Sequence, residues 1–102
     1  MTKNEKREHS DVLYQAILTL RDLDECKKFF SDLCTVAELR AMEQRFEAAM
    51  LLSDGMIYND ILERTGASSA TISRVNRSLQ YGADGYQAVL PRIKEQMDQH
   101  GV

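Results

Sequence analysis

The stretch Tyr58–Leu79, YNDILERTGASSATISRVNRSL, sets two short helical patterns on either side of a single glycine, and few architectures accept that arrangement. In the first pattern, Tyr58, Ile61 and Leu62 follow the i, i+3, i+4 spacing of one helix face. Gly66 comes next, where a helix that turns sharply needs a residue tolerant of left-handed backbone. Ser68 or Ser69 can then cap a second helix, whose Ile72, Val75 and Leu79 form an i, i+3, i+7 stripe. The spacing reads as a helix-turn-helix, a motif whose second helix enters a DNA major groove. On the opposite face of that helix Ala70, Ser73, Arg74 and Arg77 recur at i, i+3, i+4 and i+7. Small residues allow close approach to base edges, and guanidiniums suit phosphate oxygens or guanine.

The rival reading is a plain helical hairpin with a solvated polar face. Charge argues against it: Arg64 to Ala83 holds three arginines and no acidic residue, within a chain of formal net charge -3. A nucleic-acid binder of this composition must concentrate its positive charge locally. Cys26 and Cys34 lie eight positions apart without a C-x-x-C, which reads as buried, reduced thiols. His9 and His100 stand near opposite termini, so no metal site, cofactor or catalytic constellation is expected. No apolar run reaches transmembrane length and MTKNEKREHSD holds no signal-peptide core. The expectation is a cytoplasmic protein with no membrane partner.

At 102 residues the chain reads as one all-α domain, 1–102. Residues 1–9 are charged and expected to fray. Ser10 can cap a helix with Val12, Leu13, Ala16, Ile17 and Leu20 on one face. Asp24 can cap the next, with Cys26, Phe29, Phe30 and Leu33 inward. Thr35-Val36-Ala37-Glu38 has capping-box form and opens the longest helix, ending near Asp54-Gly55. After the helix-turn-helix and the loop YGADG, a last helix over 86–99 carries Val89, Leu90, Ile93 and Met97. Pro91 implies that this helix either begins near Leu90 or kinks there.

On a helical wheel the third helix gathers Arg40, Glu43, Gln44 and Glu47 on a solvated side. The remainder is apolar on two flanks, more than so short a chain covers alone. Dimerisation through residues 10–54 would supply the missing partner. Arg45 falls between the flanks with no intrahelical carboxylate in reach. It either snorkels to water or points into a cleft that accepts an anion or an aromatic face.

The run Thr35–Leu79, with TVAELRAMEQRF, LLSDGM and then L-x-x-x-x-G-A-x-x-A-T-I-S-R-V-N-R-S-L, resembles the Trp repressor superfamily, and within it the YerC/YecD group. The resemblance implies a six-helix, intertwined homodimer on double-stranded DNA. It implies that Ser69, Ala70 and Ser73 face the major groove, and with Ser68, Arg74 and Arg77 they make up the expected DNA-binding set. It further implies an effector pocket at Thr35, Arg45, Thr71, Arg74, Val75 and Ser78, in which two arginines sandwich an indole. The chain departs from the Trp repressor in carrying Val75 where that protein has glycine against the indole. It also has one residue fewer between Gly55 and Gly66. The expected function is therefore a homodimeric repressor on a palindromic operator, independent of tryptophan and open to some other small effector. The alternative is a helical protein–protein interaction module that uses the helix-turn-helix as scaffold.

Overall fold

A computed structural model describes residues 10–99, and among these it contains six helices and no strand. They are α1 (Asp11–Leu18), α2 (Leu23–Leu33), α3 (Val36–Ser53), α4 (Tyr58–Thr65), α5 (Ser69–Tyr81) and α6 (Gly85–Gln99). The all-α expectation holds, while the expected fraying of 1–9 lies outside the described residues. The chain clusters into two compact units, Met1–Leu39 and Arg40–Val102, with the boundary inside α3.

In the first unit, local hydrogen bonds set the helix ends. Ser10 caps α1 as expected, its Oγ accepting from the Val12 amide at 3.3 Å. The helix stops at Leu18, so Leu20 lies beyond the face assigned to it, and Val12 is 72% exposed. Asp22, not Asp24, caps α2: its Oδ1 accepts from the Glu25 amide at 2.8 Å, and Glu25 Oε1 accepts from the Arg21 amide at 3.1 Å. The reason is spacing, since only Asp22 has a glutamate three residues on, and that glutamate reaches back to the amide just before the cap. Asp24 instead pairs with Lys28 along the helix at 3.0 Å. Phe29 and Phe30 meet edge to face and are half-buried, whereas Leu33 is exposed. Cys26 and Cys34 are free thiols, half-buried rather than buried.

Thr35 and Glu38 form the expected capping box at the start of α3. The Glu38 amide donates to Thr35 Oγ1 at 3.1 Å, and the Thr35 amide donates to Glu38 Oε1 at 2.8 Å. Hydrogen bonds from the Thr35 backbone and side chain hold the Glu38 carboxyl below its ordinary pKa. A lowered folded-state pKa stabilises the fold above the ordinary carboxylate range, and that contribution is lost as pH falls through the lowered value.

The second unit is built on the C-terminal part of α3. Ala48, Ala49, Ile61, Ala67, Ile72, Val75 and Leu90 are its buried apolar residues, with Phe46, Met50, Leu79 and Tyr86 partly buried against them. The side chains on α3 at the centre of this core are alanines, so the neighbouring helices can approach closely. α3 ends in a Schellman motif: the Gly55 amide donates to Leu52 O, the Met56 amide donates to Leu51 O, and Gly55 sits at φ 87°. Lys94 of α6 binds this end through Asp54 Oδ1 at 2.7 Å and the Ser53 hydroxyl.

Helix α6 runs through Pro91 from a start at Gly85, so a beginning near Leu90 is excluded. The Ala88 amide donates to the Asp84 carbonyl in its first turn, and Leu90 is buried in the core. Gln87 also reaches back to the Leu79 carbonyl at 2.8 Å. These contacts precede the proline and hold the first turns without the amide it lacks. At the end of α5 the backbone closes tightly: a Cβ on Gly82 would lie 2.4 Å from the Ser78 carbonyl oxygen. Backbone cannot yield as a flexible side chain can. Gly82→Ala should therefore destabilise the fold by about 1–3 kcal/mol, seen as a lower urea midpoint. An unchanged midpoint would refute this close approach.

Candidate nucleic-acid interface

Helices α4 and α5 with the turn between them form the helix-turn-helix anticipated at 58–79. Gly66 takes the left-handed conformation, φ 72°, and its amide donates to the Leu62 carbonyl at 3.0 Å. Thr65 completes the turn, its hydroxyl donating to the Ile61 carbonyl at 2.7 Å and accepting from the Ala67 amide at 3.1 Å. Ser68 is the N-cap of α5: its Oγ accepts from the Thr71 amide at 3.1 Å and donates to Thr71 Oγ1 at 3.0 Å. Its hydroxyl is thus engaged within the helix start, and Ser69 is the first helical residue.

The apolar stripe of α5 turns inward, with Ile72 fully buried and Val75 3% exposed. Ile61 of α4 and Ala67 of the turn are buried in the same cluster. The polar stripe therefore faces out, and Ser69, Ala70, Ser73, Arg74 and Arg77 are all exposed. Two ion pairs form among the described residues, Lys28–Asp24 and Lys94–Asp54. Neither involves an arginine, so Arg74 and Arg77 offer uncommitted guanidiniums beside short side chains. Such a surface can donate to phosphate oxygens and admit a base edge.

Of the residues assigned to an effector pocket, Thr71, Arg74, Val75 and Ser78 lie on α5 and Arg45 lies on α3. Thr35 belongs to the first unit, where it caps α3. Arg45 is half-buried on α3, Arg74 is exposed, Thr71 is half-buried and Val75 is core. Ser78 lines a shallow groove of about 390 Å³ with Phe46, Gly82, Ala83, Gly85, Tyr86 and Val89, which contains none of the other assigned residues. Among the described residues there is no cluster of metal-binding side chains and no helix long and apolar enough to cross a membrane.

Gln44 overturns its assignment to a solvated face. It is half-buried, and its Nε2 donates to the Thr65 carbonyl at 3.3 Å, across 21 positions of sequence. A helical wheel reports neighbours one turn away and carries no signal of a partner at that distance.

Comparison with known proteins agrees with this geometry. The family model for Trp repressor protein matches residues 8–94. The uncharacterised protein YerC of Bacillus subtilis is 52% identical over 85 residues, covering 83% of this chain and 82% of that one. Among solved structures, a TrpR-like protein from Eubacterium eligens is 52% identical with a TM-score of 0.82, covering 90% of this chain and 96% of its own. A candidate Trp repressor from Staphylococcus aureus is 45% identical with a TM-score of 0.82, covering 92% and 96%. With a six-helix fold, a helix-turn-helix at 58–79 and relatives matched over most of their length, the chain belongs to the Trp repressor family.

Proposed function

We propose that the chain is a DNA-binding transcriptional repressor that acts as a homodimer on a palindromic operator and does not require tryptophan. The observation that carries this reading is the exposed, carboxylate-free face of α5, with Ser69, Ala70 and Ser73 beside Arg74 and Arg77, which form no ion pair among the described residues. Family membership supports a DNA-binding regulator rather than an enzyme. Two such helices in a dimer would read half-sites roughly 34 Å apart. Arg77→Ala should weaken binding to all sequences alike and lower the salt slope by about one unit, while Ser73→Ala changes which duplexes are preferred. Unchanged affinity of Arg77→Ala across several salt concentrations would remove this face from the DNA interface.

The dimer is supported by apolar surface left open on the first unit. Val12, Leu18, Leu23 and Val36 are 72%, 84%, 70% and 68% exposed, and Leu33 is 49% exposed. Apolar exposure of this extent on a small helical unit calls for a covering surface, and a second copy supplies an identical one. Sedimentation at micromolar concentration should give twice the chain mass. A folded monomer there refutes the dimer.

Independence from tryptophan follows from Val75. Its isopropyl group is buried against Ile61 and Ile72, filling space that a glycine would leave open. A well-packed interior offers no second vacancy for an indole. Arg45 and Arg74 remain able to bracket a smaller or outward-placed ligand. Calorimetry should show no tryptophan binding at millimolar concentration, and Val75→Gly should cost roughly 2–4 kcal/mol of stability. Tight tryptophan binding by the unaltered chain would defeat the steric argument.

A further inference from the structure

The helix-turn-helix is held to α3 by two kinds of contact. Ala48 and Ala49, both fully buried, share the core with Ile61 and Ile72. Alanine methyls present a shallow surface, and apolar contact is non-directional, so these alone permit α4 and α5 to slide or rotate against α3. Gln44 lies one helical turn before Ala48 on the same side of α3 and adds a directional bond, from its Nε2 to the carbonyl of Thr65. That carbonyl closes α4, where the helix itself supplies no donor.

Every other hydrogen bond at the turn comes from within the motif. Thr65 Oγ1 bridges the Ile61 carbonyl and the Ala67 amide, the Gly66 amide bonds Leu62, and Ser68 caps α5. Among the described residues, Gln44 makes the one hydrogen bond that reaches this turn from outside the motif. Its amide also runs beside Gly66, where a Cβ would lie 3.8 Å from Nε2. We propose that Gln44 is a positioning residue for DNA recognition, fixing through Thr65 the direction in which α5 leaves the turn. The inference rests on the reading of α5 as the DNA-contacting helix of a dimer. Two helices must enter successive grooves together, so a small rotation at each turn spoils a two-half-site match. It scarcely affects contact with one half-site or with unrelated DNA.

The test uses the full chain and three duplexes: the one the wild-type protein selects from a random library, a single half-site of it, and an unrelated sequence. Gln44→Met keeps length without the donor, and Gln44→Glu keeps shape without the donor; if either fails to fold by urea melting, the other carries the test. Affinity for the full duplex should fall about fivefold to tenfold, with the half-site and unrelated duplexes held near wild type. Wild-type affinity for the full duplex in both variants would overturn the proposal. An equal loss on all three duplexes would also overturn it, because that is general damage rather than positioning. A wild-type protein that retains no duplex from the library would overturn the DNA-binding reading itself, before any substitution is made.

Discussion

The apolar contact across Gly66 is the constraint on which the remaining structure depends. Ile61 before the turn meets Ala67, Ile72 and Val75 after it, and all four are buried. Burying one isoleucine side chain contributes about 1.5–3 kcal/mol, whereas a typical hydrogen bond nets about 0.5–1.5 kcal/mol. The apolar contact therefore supplies the larger share of stability, and the hydrogen bonds of Thr65, Ser68 and Gln44 select one geometry among those it permits. With Ile72 and Val75 turned inward, helical periodicity leaves Ser69, Ala70, Ser73, Arg74 and Arg77 nowhere but outside.

The charge distribution is compatible with that outward face despite a net charge of -3. At about 0.1 M salt, charges more than roughly 10 Å apart are largely screened, so near neighbours rather than net charge set the field at α5. What matters is the immediate neighbourhood, and from Arg64 to Ala83 no acidic residue occurs. Among the described residues Arg74 and Arg77 form no ion pair, so none has to be broken there before they meet an anion.

Val75 separates two properties that the family resemblance joins. The proposed DNA-facing positions lie on the outer stripe of α5, while Val75 belongs to its buried stripe. The resemblance places a glycine against an indole where this core carries Val75, 3% exposed. On the proposed reading, a one-residue difference removes the indole site while leaving the recognition surface in place. The small residues on α3 act in a similar division: Ala48 and Ala49 permit close packing, and Gln44 supplies direction.

The local signals were legible in the sequence because their physics is local. The bounds of α4, the left-handed glycine, the Ser68 cap and the Thr35–Glu38 box each involve residues within four positions of one another. The inward stripe of α5 was legible for the same reason, since period and hydrophobicity determine it. Asp22 was within reach too, because Asp22 and Glu25 have capping-box spacing and Asp24 lacks such a partner. Pro91 was ambiguous locally, and contacts of Gln87 with Leu79 and of Leu90 with the core settled that α6 passes through it. Gln44 required the tertiary structure altogether. Its partner is 21 positions away, and an exposed polar face and a half-buried hydrogen-bonded amide have the same pattern on a helical wheel. The sequence by itself determined the caps at Ser10 and Thr35, the turn at Gly66 and the inward stripe of α5, which are consequences of short-range geometry. Which polar residue anchors the turn was decided by the fold, because only folding brings α3 against α4.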